Sequence, residues 1–358
     1  MRLAWPDVGA AEAEAVADVL AAGQLTMGPK VAEFEDAVAR ACQVEHAVAV
    51  SSGTAALHLA VLALGIGPGD EVLVPAYTFP ATANVVALAG ATPVLVDVDS
   101  ETMNLDIERA REALSRRTRA VLAVHLFGRP LEWEALADTV PNGVHLIEDA
   151  AGALGARRRG RPCGSLGDVG CLSFHPRKVV TTGEGGAVTT NDGTLADEVR
   201  RLRHHGILPR GDFDVPTPGF NYRLSDLHCA VGIVQMRRLE ELLATRRRLA
   251  AAYTERLAGL VQTPTVGEGD EHGWQAYVVQ LDRRDEARAQ LRRAGIETQI
   301  GTYALNRLGA YSGQTDFPAA DSCFRRALAL PFHSRLTESD LDRVAEVLAG
   351  ARGRLLER

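Results

Sequence analysis

Along the first 240 residues, short continuous apolar runs alternate with stretches whose apolar positions recur every three or four residues. The recurring kind predicts helices at "EAEAVADVLAAG" (12–23), "KVAEFEDAVARACQ" (30–43), "GTAALHLAVLALGI" (53–66), "ATANVVALAG" (81–90) and "LEWEALADTV" (131–140). Gly23 is placed to cap the first of these. The continuous kind predicts strands at "HAVAVSS" (46–52), "DEVLVP" (70–75), "TPVLVDVD" (92–99), "TRAVLAVHLFG" (118–128), "GVHLIEDAAG" (143–152) and "DVGCLSF" (168–174). Short apolar strands separated by helices predict a mainly parallel sheet covered on both faces.

Past residue 245 the pattern changes. The stretch 225–260 is helical throughout and too long for an average globular helix, so a bend or break is expected within it. Shorter elements follow: a strand at "WQAYVVQL" (274–281), a helix over 284–295 ending at Gly295, and a strand at "ETQIGTY" (297–303). A last helix over 337–350 has Thr337 as its expected N-cap. The expected organisation is α/β in two domains. Residues 1–245, with a helical segment at the N-terminus, form the larger one, and residues 246–358 a smaller α+β one.

Composition adds exclusions. A formal net charge of −7 argues against general nucleic-acid binding, which would need a basic face. The start of the chain has no continuous apolar segment of signal-peptide type, and no stretch has the length of a membrane span. Cys42, Cys163, Cys171, Cys229 and Cys323 are odd in number and scattered, so buried thiols in a reducing, cytoplasmic setting are expected. No pair of histidines has ligand spacing, and no metal site is expected.

Chemistry collects at strand ends, where open α/β sheets bind ligands. In "VAVSSGTAALHLA" (48–60) a strand gives way to a helix through Ser-Ser-Gly-Thr. The helix N-terminus there could hold a phosphate on Gly53 and Thr54, although Ser and Thr also cap ordinary helices. Asp149, directly after a buried-type strand, either caps a turn or bonds a cation. Lys178, in "SFHPRKVVTTGEGG" (173–186), sits on a connection between two strands among residues suited to close backbone approach. A lysine becomes a nucleophile when burial or a neighbouring cation keeps its amine neutral. Together an anion cup, a carboxylate and a lysine are the parts of a pyridoxal phosphate site. Phe79, just past another strand end, could stack on the ring or pack in the core.

Seven segments carry a resemblance that runs nearly end to end: "SSGTAAL" (51–57), "GDEVLVPAYTFPATANVV" (69–86), "PVLVDVD" (93–99), "IEDAAGALGA" (147–156), "SFHPRKVVTTGEGG" (173–186), "GFNYRLSDLHCAVG" (219–232) and "LPFHSRLTESDLDRV" (330–344). In this order they resemble the DegT/StrS sugar aminotransferases, a branch of the fold type I pyridoxal phosphate enzymes. The resemblance implies a seven-stranded, mainly parallel sheet between helices, and a homodimer with shared active sites. It implies Lys178 as the Schiff-base lysine and proton carrier, and Asp149 on the pyridine nitrogen. Gly53, Thr54 and Ser173 would hold the phosphate and Phe79 would stack on the ring. Asn221 would reach the phosphate of the neighbouring subunit's cofactor. Tyr77, His175, Arg223, Tyr303, Asn306 and Arg307 are the implied substrate contacts, and Arg177 joins Arg223 and Arg307 as a candidate for a diphosphate.

The implied reaction takes an amino group from L-glutamate or L-glutamine to a keto group on a nucleotide-linked deoxysugar, with pyridoxamine phosphate as the intermediate form. A keto-cyclitol acceptor and a cofactor-binding regulator without turnover are the alternatives. A lyase or desulfurase would need a mobile cysteine, for which Cys163 is the candidate. Two positions depart from the family. Gly152 stands where many relatives carry Gln or His that can bond the cofactor's ring hydroxyl, and Asn306 where a histidine is common. Relatives that act as dehydrases replace the lysine by histidine; this chain keeps it.

Overall fold

The computed structural model describes residues 1–208 and 214–356. Seven strands form the central sheet: β1 (His46–Val50), β2 (Glu71–Pro75), β3 (Thr92–Val96), β4 (Thr118–Val124), β5 (His145–Asp149), β6 (Val169–Ser173) and β7 (Gly186–Thr190). Their order across the sheet is β1-β7-β6-β5-β4-β2-β3. β7 runs antiparallel to both its neighbours, and every other pairing is parallel. Six strands therefore bring their carboxyl ends to one edge. β7 starts at that edge, with Gly186 opposite both Ser173 and Val50. The connection carrying Lys178 consequently lies where the other strands end.

Side chains along the strands alternate between two apolar layers, as strand geometry requires. Val48, Val50, Val72, Val74, Leu122 and Val124 face one cluster, with the helices Gly53–Ala63, Ala81–Leu88 and Gly193–Arg203. Ala47, Ala49, Leu73, Val121 and Ala123 face the other, with Phe34, Trp133 and Ile233. A third cluster forms beyond the helix break, where Asp226–Arg237 gives way to Leu239–Leu257 at Arg238. There β8 (Tyr277–Gln280), β9 (Gln299–Ile300) and β10 (Ala327–Leu330) make an antiparallel sheet in the order β8-β10-β9. Gly23, at φ +76°, closes the helix Ala10–Ala22, and Thr337 Oγ1 accepts from Asp340 N at 3.2 Å as the last helix begins.

Two differences from the expected elements bear on the site. The strand expected over 274–281 begins only at Tyr277, because Trp274 takes a left-handed φ of +48° that ends extended backbone. The strand expected over 297–303 is split. Gln299–Ile300 pairs with β10, and Tyr303–Ala304 pairs instead with Tyr77–Thr78, across the sheet edge. Gly301 lies at the crossing, where a Cβ would stand 2.5 Å from the Tyr77 hydroxyl. All five cysteines are free and buried. Cys163 is thus no exposed loop thiol: its N–H bonds Ala156 O at 2.9 Å and its side chain is fully covered.

Candidate active site

At the carboxyl edge the helix Gly53–Ala63 begins directly over the sheet. Ser52 caps it, its hydroxyl accepting from Ala55 N at 3.0 Å. The approach of this helix end is very close. A Cβ on Gly186 would fall 2.4 Å from Ser52 O, and one on Gly53 would fall 2.8 Å from Ser173 Cβ. Glycine at both positions lets the unpaired N–H groups of the first turn and the Ser173 side chain share one wall of a cleft of about 510 Å³. That wall suits an anion.

Asp149 ends β5 on the cleft floor and is buried. One carboxylate oxygen accepts from Ala151 N at 3.1 Å, and the other from the Thr82 hydroxyl at 3.1 Å. Burial pushes its pKa above the ordinary carboxylate value; the two hydrogen bonds and the nearby Lys178 pull the other way without cancelling it. Two donors leave lone pairs available to a cation in the cleft.

Lys178 lines the same cleft. Desolvation lowers its pKa, opposed by the charge of Asp149. No hydrogen bond or ion pair engages its ammonium among the described residues. The loop that carries it is held by its own bonds: Lys178 N to His175 O at 2.8 Å, Phe174 N to Gly185 O at 2.8 Å, and Thr182 N to Phe174 O at 3.0 Å. The Thr181 hydroxyl adds a bond to Phe174 O at 3.0 Å. The side chain is therefore presented from rigid backbone.

The facing wall comes from distant parts of the chain. Phe79 is 61% exposed into the cleft and meets Tyr303 edge-on, ring centroids 6.3 Å apart. That exposure excludes the core-packing reading of Phe79. His175 and Arg177 stand on the rim, and Arg177 Nη1 donates to Gln299 Oε1 at 2.6 Å. His175 has its pKa lowered, chiefly by desolvation, so the neutral ring is favoured. The N-terminal residues Leu3 and Ala4 close one corner.

Residues 6–349 match the DegT/DnrJ/EryC1/StrS aminotransferase family. This chain belongs to that family. It is 41% identical over 334 residues to the GDP-perosamine synthase of Caulobacter vibrioides, covering 90% of each protein. Among solved structures it is similar to DesV of S. venezuelae in complex with a ketimine intermediate, at 38% identity and TM-score 0.91, over 95% of this chain and 94% of that one. It is also similar to Spr1654 of Streptococcus pneumoniae in its PLP form, at 29% identity and TM-score 0.95 over 99% of each chain; that protein is also solved in a PMP form.

The chain is thus a sugar aminotransferase, and pyridoxal phosphate is the cofactor of its family. The residues present fit that group. A buried carboxylate with spare lone pairs, an unengaged amine and a helix end cleared by glycines match its ring nitrogen, its aldehyde and its phosphate.

Gly53, Thr54, Phe79, Asp149, Ser173, His175, Lys178 and Tyr303 all line one cleft. Five expected contacts do not. Tyr77 is fully buried behind the wall, its hydroxyl accepting from Thr302 N at 3.1 Å. Asn306 and Arg307 turn outward to Asp321, at 3.4 and 2.6 Å, because the short helical turn Leu305–Arg307 packs against the helix Pro318–Arg326. Arg223 bonds His204 Nδ1 at 2.5 Å, and its backbone bridges to Val50 at the outer edge of the sheet. Asn221 lies exposed on the same outer edge, opposite His204.

Other lining residues escape sequence reasoning. Thr82 belongs to a quoted motif, but nothing in it shows that its hydroxyl reaches Asp149. His125 is tied into the fold: its Nδ1 accepts from Leu131 N at 2.9 Å, so its Nε2 donates to Glu148 at 2.9 Å. It nevertheless forms part of the cleft. Gln275 lies in a predicted strand and carries no signal at all.

Proposed function

We propose that this sugar aminotransferase moves an amino group from L-glutamate or L-glutamine to the keto group of a nucleotide-linked deoxysugar, in two half-reactions of ping-pong type. The observation that carries the acceptor is the 41% identity, over 90% of both chains, with an enzyme named for a GDP-linked product.

Pyridoxal phosphate, when bound, supplies an aldehyde carbon that takes up an amine and a protonated ring that draws off electrons as the adjacent C–H bond breaks. Lys178 Nζ would hold the cofactor through its aldehyde and would serve as the base that carries a proton at the amine-bearing carbon. Burial favours its neutral form, which this task requires. Asp149 would hold the ring nitrogen in its protonated form. The N–H groups at Gly53 and Thr54, with the Ser173 hydroxyl, would bind the phosphate. Phe79 would cover a ring face, and with Tyr303 it would exclude water. Arg177 has a neutral amide as its partner, which leaves its charge to meet an anionic substrate group.

The proposal includes a cytoplasmic homodimer in which Asn221, exposed at the sheet edge, reaches the phosphate bound by the neighbouring copy. Mixed dimers of Lys178→Ala and Asn221→Ala subunits then regain part of the lost activity; verified mixed dimers without any gain would refute sharing. No described helix is long and apolar enough to cross a membrane.

The primary test is the absorbance of the protein loaded with pyridoxal phosphate, before and after each donor. Bleaching of the yellow band by glutamate or glutamine, then its return on addition of a nucleotide-linked keto sugar, is the expected result. A band restored by a keto-cyclitol and not by any keto sugar would overturn the acceptor. Lys178→Ala should lack the lysine-bound band and all turnover.

A further inference from the structure

Gly152 leaves an opening in the cleft wall, and a residue more than a hundred positions later fills it. A Cβ at Gly152 would lie 3.6 Å from Cβ, Cγ and Oε1 of Gln275. Gln275 lines the cleft, and its Nε2 donates to the backbone oxygen of Arg177 at 3.3 Å, next to Lys178. Its own N–H bonds Phe127 O at 3.0 Å, while Gly273 N bonds Gly128 O at 2.8 Å. Phe127 and Trp274 both take left-handed φ values, +58° and +48°. Strained backbone of this kind persists only where its surroundings hold it, and it concentrates at functional sites. Here it delivers one polar side chain to the cleft.

The order of the strands says which part of the cofactor that side chain meets. The phosphate cup stands over the ends of β1 and β6, and Asp149 ends β5. The next strand on the far side is β4, which is followed by the short turn Leu126–Gly128, and Phe127 in that turn is tied to Gln275. In pyridoxal phosphate the phosphate arm and the ring hydroxyl flank the aldehyde-bearing carbon on opposite sides, and the nitrogen lies across the ring from that carbon. With nitrogen at Asp149, aldehyde at Lys178 and phosphate at Gly53–Thr54, the hydroxyl faces the β4 side.

We propose that Gln275, whose side chain packs into the space that Gly152 leaves open, is a cofactor-positioning residue whose Nε2, on the side of Arg177 and Lys178, donates a hydrogen bond to the ring hydroxyl oxygen of pyridoxal phosphate. This rests on the aminotransferase reading of the cleft. One amide hydrogen goes to Arg177 O and the second is left for the cofactor. Such a bond stabilises the ionised oxygen and weakens its hold on the neighbouring lysine-bound proton.

The test uses the intact 358-residue chain and two readouts other than turnover. In Gln275→Ala, the dissociation constant for pyridoxal phosphate should rise about tenfold, and the visible band should titrate at a higher pH than in the parent enzyme. Moving the amide to the other side of the gap, in Gly152→Gln/Gln275→Ala, should restore most of both. An unchanged titration in Gln275→Ala overturns the proposal, whether or not affinity falls, because lost packing alone would weaken binding without moving the proton. Shifts that the double variant leaves wholly unrepaired, with thermal melting at the parent value, overturn it as well. Lys178→Ala run beside these keeps the two readings apart: if that variant retains the band, the cofactor assignment itself fails.

Discussion

Glu148 and Asp149 are consecutive on β5, both carboxylates, both buried, and they point to opposite sides of the strand. Glu148 is consumed by the fold. It accepts from His125 Nε2 at 2.9 Å, from Leu166 N at 2.9 Å and Gly167 N at 3.4 Å, and from the Gly164 N–H. These bonds tie β4, β5 and the loop before β6 into one block. The Cys163 thiol lies within 4.8 Å of the His125 and Glu148 ligand atoms, both of which are already engaged in the hydrogen bonds above. Asp149 receives two donors only, and its protonation is favoured by burial. The difference shows that burial of a charge marks a site only where the hydrogen-bond count falls short; a fully satisfied carboxylate one residue away is architecture.

The sharpest way to break this comparison is to delete each carboxylate. Asp149→Ala should cost about 10³-fold in turnover, the order expected when an electrostatic partner of the reacting system is removed. Its melting temperature without cofactor should hold or rise, because an under-satisfied buried acid is being removed. A variant of Asp149 that melts far below the parent would show that this carboxylate also serves the fold. Glu148→Ala should do the reverse. Four donors, three of them buried, lose their acceptor, and about 3–5 kcal/mol of stability should go, read by urea unfolding. The soluble folded fraction should keep far more specific activity than Asp149→Ala; equal losses would erase the distinction.

How much of this was legible beforehand follows the same line. Asp149 and Lys178 could be read because apolar strands with period-two burial fix where they end, and sheet topology brings those ends together. The seven-segment resemblance supplied the rest of the cofactor set. Sequence pattern does not say which way β7 runs, since "GGAVTT" reads alike in either direction. It does predict a break within 225–260, but not its place at Arg238, which no proline or glycine marks. The facing wall was the least legible. Tyr77 and Arg307 have the right chemistry and neighbouring positions, yet their side chains are drawn to Thr302 N and Asp321. Gln275 reaches the cleft only because a left-handed residue precedes it. Long-range partners decide these directions, and a local pattern holds no record of them.

The finest distinction between the two carboxylates lies in pH. In the cofactor-free protein Asp149 has a pKa raised above its ordinary 3.8, so the native state holds that proton more tightly than the unfolded chain. The stability this contributes is complete below 3.8 and is lost as pH climbs through the folded value. Lys178 carries the opposite sign at the other end. Its pKa is lowered from 10.5, so the native state sheds its proton sooner, and stability is gained as pH rises through that lowered value. Subtracting the melting curve of Asp149→Asn from that of the parent at each pH should therefore expose a decline above 3.8 that belongs to Asp149 alone. Loading pyridoxal phosphate should abolish it, because a protonated ring nitrogen beside the carboxylate favours the ionised form and draws its pKa back down. A decline that survives loading would mean that the ring nitrogen does not meet Asp149, and the orientation on which the Gln275 assignment depends would go with it.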